Sequence, residues 1–102
     1  MDTLKQSLLD VMKGYAGEGL NGVSYLTYDD EHNIFTVVGI ATLGKERIVD
    51  NDLVVRLVGD RIVIEYDVND KPLYEALMQA GFPREQIILA YAGETVDLPL
   101  TS

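Results

Sequence analysis

Two apolar runs, Leu53 to Val58 and Arg61 to Tyr66, stand two residues apart, and those two are Gly59 and Asp60. A loop that short, with a glycine free to take positive φ, joins its runs as a tight antiparallel hairpin whose turn matches the strand twist. The register then follows: Val58 faces Arg61, Leu57 faces Ile62, Arg56 faces Val63 and Val55 faces Ile64. Alternate side chains of a strand point to opposite faces. One face collects Leu53, Val55, Leu57, Ile62, Ile64 and Tyr66, which makes it the core surface. The other collects Val54, Arg56, Val58, Arg61, Val63 and Glu65; half apolar with opposed charges, it reads as a covered or partner-contacting surface.

The same period of two extends back to Val23, so the stretch to Tyr66 is an antiparallel meander of about four strands. Asp29 to Asn33 and Gly44-Lys45 supply turns, and Val49-Asp50-Asn51-Asp52 is expected to interrupt the strand before the hairpin. Upstream, Leu4, Leu8, Val11, Met12 and Tyr15 repeat at helical spacing, which predicts an amphipathic helix over residues 3–16 ending in a glycine-rich segment. Downstream, Asn69 or Asp70 is the expected N-cap of a second helix, with Pro72 in its first turn. Leu73, Ala76, Leu77 and Ala80 form its stripe, Gly81 and Pro83 end it, and Ile87 to Tyr91 is a short last strand. The tail from Gly93 to Ser102 is expected to fray. The predicted class is therefore α+β, as one domain over residues 1–102, a length that suits one core and is too short to divide.

Charge narrows the function. Seventeen acidic against eight basic side chains give a formal net of −9. A polynucleotide backbone repels such a surface unless cations are gathered locally, and here they are scattered along the chain. The absence of cysteine fits a reducing compartment and removes thiolate chemistry. No basic leader or long apolar window is present, so cytoplasmic localisation without membrane contact is expected.

Several motifs invite a chemical reading and yield to a simpler one. Gly17-Glu18-Gly19-Leu20-Asn21-Gly22 spells a dinucleotide fingerprint, but a helix precedes it and a strand follows, the reverse of what phosphate binding needs, so it reads as a flexible linker. His32, the only histidine, lies in the polar turn after Asp29-Asp30-Glu31 and has no second histidine to complete a metal set. Asp67, Asn69 and Asp70 open like a calcium loop, yet the sixth and twelfth places hold Pro72 and Met78, so helix capping is the better reading. Ser7, Ser24 and Ser102 sit in no nucleophile elbow. No catalytic, cofactor-binding or metal-ligating residue is assigned, and no enzymatic activity is expected.

The segment Arg61-Ile62-Val63-Ile64-Glu65-Tyr66 followed by Leu73 to Tyr91, with Gly81-Phe82-Pro83-Arg84-Glu85-Gln86-Ile87-Ile88-Leu89 at its centre, resembles the XisI-like family, the fdxN element excision controlling factors. The Val38-Gly39 step and Lys45-Glu46-Arg47-Ile48 are also similar to it, so the likeness covers most of the chain. The chain departs from the family pattern in three places: Ile40 where a tryptophan is usual, Arg56 near the place of a strand histidine, and Ala92 to Asp97 in place of a His-x-Pro-x-x-Arg segment.

The resemblance implies a cyanobacterial accessory factor for site-specific DNA excision during heterocyst development, acting with a XisH-like partner of nuclease fold. The candidates for partner contact are Arg56, Arg61 and Glu65, with Lys45 and Arg47 before them. Two alternatives stand beside it: a direct DNA-binding control factor with Lys45, Arg47, Arg56 and Arg61 gathered on one sheet face, and a small-ligand domain using a cleft between the second helix and the sheet. A homodimer through an unpaired strand edge is a further expectation.

Overall fold

The hairpin takes the register its two-residue loop dictates: Val58 pairs Arg61, Leu57 pairs Ile62, Arg56 pairs Val63 and Val55 pairs Ile64, with Gly59 at φ 63°. In a computed structural model, which describes residues 3–95, this hairpin joins the fourth and fifth strands of a six-stranded sheet. The elements run α1 (Thr3–Met12), β1 (Gly17–Glu18), β2 (Gly22–Asp29), β3 (Ile34–Leu43), β4 (Glu46–Val58), β5 (Arg61–Asp67), α2 (Leu73–Gln79) and β6 (Ile87–Leu89). Strands lie in chain order; all pairs are antiparallel except β5–β6, the parallel pair that α2 connects. The class is α+β, with helix, meander, helix and short last strand as expected.

Both helices pack on one face of the sheet. Leu8, Leu9 and Met12 of α1 and Leu73 and Leu77 of α2 join Phe35, Val37, Leu53, Val55, Leu57, Ile62, Ile64, Ile87 and Leu89 in one buried cluster. The helical stripes differ from expectation at two positions: Leu9, outside the expected stripe, is buried, and Ala80, a member of it, is exposed at the end of α2.

Five local expectations are corrected. Residues 49–52 do not interrupt β4, which runs through them as one strand; the pairing with β3 skips Asp52, which is accommodated as a bulge. A second skip falls on Glu65 in β5, so Tyr66 pairs with Val54 and leaves the core face, 46% exposed. The glycine-rich linker contains β1, two residues paired with Val23 and Ser24. A Cβ at Gly22 would collide with the Ile40 carbonyl oxygen, so only glycine allows β2 to lie this close to β3 there. The cap of α2 is neither Asn69 nor Asp70: Pro72 holds the N-cap position, and the Leu73 amide donates to the Asp67 carboxylate at 2.7 Å. Beyond Leu89 the last apolar run turns into a 3₁₀ turn over Ala90–Ala92, and Val96 to Ser102 of the expected frayed tail lie outside the described residues.

The helices cover only part of the sheet. From Val38 to Asp52, where β3 and β4 continue as a hairpin, no residue is buried, and with β1 and the start of β2 this makes a β-arm extending from the core. The long dimension of the molecule is 45 Å against 26 Å for the others.

Candidate partner interface

The outer face of the sheet, opposite the helices, carries most of the residues singled out for partner contact. Val63 lies between Arg56 of β4 and Ile88 of β6 and is fully buried, which accounts for the apolar half of this face. Over it the Arg56 guanidinium donates from Nε to the Glu65 carboxylate at 2.7 Å, both side chains about one-third exposed. Val63 is the residue straight across from Arg56, so Glu65, two positions further along β5, meets the guanidinium diagonally. Arg61 lies beside Asp60 at 3.7 Å in the hairpin turn. Arg56, Arg61 and Glu65 thus form one compact, internally compensated patch.

Lys45 and Arg47 are elsewhere. The bulge at Asp52 shifts the alternation by one and so puts Arg47 on the outer face as well, but nine residues down β4 from Arg56, about 30 Å at ~3.3 Å per residue. Lys45 sits in the turn before it. The sheet therefore shares one face among Arg47, Arg56 and Arg61 without gathering them, and two of those three already lie beside carboxylates. Five of the eight cationic side chains, Lys5, Lys13, Arg56, Arg61 and Arg84, lie within ion-pair distance of an acid.

The remaining motifs resolve as turn and cap chemistry. In the turn after β2, His32 Nδ1 is 2.7 Å from Asp29 Oδ2, and the same carboxylate accepts from the amides of Glu31 and His32. The side-chain bond to His32 is the main cause that holds the Asp29 carboxyl below its ordinary range. Among the described residues no group of three or more His, Cys, Asp or Glu side chains converges to hold a metal ion. The space expected between α2 and the sheet is filled by Leu73 and Leu77, both fully buried; the opening on that side, about 370 Å³, lies instead at the end of α2 against Asp10 and Val11 of α1.

One clamp escaped the sequence. Arg84 donates to the Ile87 carbonyl at 2.7 Å and to Glu94 at 2.6 Å, while Glu94 accepts the Leu89 amide at 2.8 Å, so two side chains ten residues apart fasten both ends of β6. No local pattern marks such a pair, because neither residue belongs to a periodic element. The Leu89 amide first, and then Arg84, hold the Glu94 carboxyl below its ordinary value of 4.5. A depressed carboxyl contributes stability above its unfolded value and loses it as pH falls through the folded one. Glu94→Gln is therefore expected to be less stable than the parent at neutral pH and to show a flatter fall in melting temperature on acidification below pH 4.5. Parallel slopes for the two proteins in a thermal melt series would contradict this.

A second feature lies on the helix-bearing face of the β-arm. Gly22, Ser24, Gly39 and Ala41 floor a groove of about 290 Å³, with Asp50 and Asp52 at its side. The bulge turns the Asp52 carboxylate over Gly39, where a Cβ would come within 2.9 Å of it, and Ser24 Oγ donates to it at 3.4 Å. The Asp52 carbonyl accepts from the Val68 amide and from Asn69 Nδ2, both at 3.2 Å, which fixes the bulge.

The profile of the XisI protein family matches residues 1–97. Two solved structures from Anabaena variabilis ATCC 29413 share the fold. The first, a XisI-like protein, superposes with a TM-score of 0.65 at 22% identity over 84% of this chain and 78% of its own. The second, the fdxN element excision controlling factor XisI, also gives 0.65, at 19% identity over 85% of this chain and 88% of its own. No curated protein matches the chain. Among the described residues no helix is long and apolar enough to cross a membrane.

Proposed function

The chain belongs to the XisI family, and from that premise we propose that it is a non-enzymatic, cytoplasmic accessory factor in the excision of a DNA element, acting by docking onto a basic XisH-like protein of nuclease fold. The observation that carries the reading is the surplus of nine negative charges. A surface of that sign raises the encounter rate with a cationic protein and opposes approach to a phosphate backbone. The pairing of five cations with acids on the molecule itself supports the same direction, since these positions offer little free positive charge to DNA. By occupying a nuclease's basic surface, the factor would compete with DNA for it or hold the enzyme inactive until excision is required.

Co-expression with the XisH-like protein of the same genome is the test. A complex that survives size exclusion at about micromolar concentration in low salt and weakens as salt shortens the screening length to roughly 8 Å is the expected result. Element-border DNA should show no mobility shift with the factor alone. Absence of a complex under these conditions, or a salt-dependent shift of DNA by the factor itself, would overturn the proposal.

A further inference from the structure

β4 is paired on both sides only along its second half. Its partners in β5 begin opposite Leu53, so the six residues Glu46 to Asn51 have β3 on one side and no strand on the other. Alternate amides and carbonyls of such a segment point outward without a ladder partner. All of these residues except Ile48 are exposed, Val49 to 60%.

The side chains along this edge are sorted by face. Register with β3 places Glu46, Ile48 and Asp50 on the helix-bearing side, in line with Asp52 and its groove, and Arg47, Val49 and Asn51 on the outer side. Among the described residues no cation pairs with Glu46, Asp50 or Asp52. These carboxylates are strung along a strand rather than converging as a metal-binding group, an arrangement that suits several cationic side chains better than one ion.

We infer that the Glu46–Asn51 edge of β4 receives an added strand from a basic protein segment, whose main chain completes the ladder and whose side chains alternate cation, apolar, cation over Glu46, Ile48 and Asp50. Strand addition of this kind takes affinity from the main chain and selectivity from alternate side chains. Asp52 and the groove over Gly39 and Ala41 extend the site to a further cationic side chain.

A second copy of the chain fits the edge poorly. Antiparallel pairing about a two-fold axis perpendicular to the sheet keeps each face on its own side, so the axis must pass midway between two copies of one residue, which then oppose each other. Centred on Arg47 it opposes Arg47 to itself; on Ile48, Glu46 to Asp50; on Val49, Glu46 to Asp52; on Asp50, Asp50 to itself. Like charges directly opposed across strands destabilise the pairing. The edge is closed to itself and open to a strand of the other sign.

This inference rests on the reading that the partner is a basic protein, and the test separates the two. The probe is a peptide containing Lys-Thr-Val-Thr-Lys, with an isomer of the same composition whose lysines are adjacent. The full chain should bind the alternating peptide about tenfold more tightly than the isomer, with slowed amide exchange at Glu46 to Asn51. The preference should fall to about twofold in E46Q/D50N, with unchanged far-ultraviolet circular dichroism showing that the variant is folded. Equal binding of the two peptides, or protection confined to another strand, would overturn the inference. So would concentration-dependent dimerisation that protects the same amides, which would assign the edge to a second copy. A XisH-like protein that binds the parent and E46Q/D50N equally would overturn this site while leaving the proposed function standing.

Discussion

Phe35→Ala should lower the stability of the chain by about 3–5 kcal/mol, which for a domain of this size is a large fraction of a total of roughly 5–15 kcal/mol. Phe35 is fully buried in the middle strand region, paired with Tyr28 of β2 and Val55 of β4. Its ring stacks on Tyr28 with centroids 5.9 Å apart. Removing it leaves a cavity bounded by strands whose hydrogen bonds hold them at fixed spacing, so little collapse can offset the lost contacts. Urea unfolding followed by circular dichroism gives the difference directly. Phe35→Leu, which keeps most of the volume, should lose less than about 1.5 kcal/mol. A loss below about 1 kcal/mol for the alanine variant would mean that the core lies elsewhere.

Asp67→Ala has the next largest expected effect, a loss of about 2 kcal/mol from three hydrogen bonds made by one carboxylate. Oδ1 accepts the amide and the side-chain nitrogen of Asn69, at 3.0 and 2.8 Å, and Oδ2 accepts the Leu73 amide at 2.7 Å. Without it the first turn of α2 has an unsatisfied donor, and the Asn69 side chain that steadies the Asp52 bulge loses its anchor. Stability should fall while binding of the alternating peptide weakens only modestly. Asn69→Ala, which keeps the cap of α2, should retain most of the stability, and the reverse order of the two variants in urea would contradict this account.

The fate of these residues marks how far alternation alone can be read. The hairpin register was legible because a two-residue loop permits little else, and all four of its pairs stand as the loop dictates. From it the Arg56–Glu65 neighbourhood also followed. What a period of two cannot anticipate is an inserted residue. The bulge at Glu65 moved Tyr66 off the core face and brought Asp67 to the start of α2, where it displaced the local capping candidates Asn69 and Asp70. The bulge at Asp52 had the same effect on the meander: a valine and three polar residues that look like a turn are a strand that swells to absorb one of them. Reading them as a turn concealed the shared face of Glu46, Ile48 and Asp50, and with it the open edge. Lys45 and Arg47 were legible as charges, but their distance from Arg56 depends on β4 being one unbroken strand of 13 residues.

That unbroken strand joins two regions with unequal claims on the core. Local opening requires only the contacts of the segment that opens, so backbone protection in such a molecule is graded. At the Leu53–Val58 end, separating the strands exposes the buried cluster and amounts to global unfolding. At the Glu46–Asp52 end no buried side chain resists, and the ladder to β3 is the principal restraint. One continuous strand thus carries a stability gradient along its length, and whatever seats itself on the loose end would be felt as rigidity rather than as a change of shape.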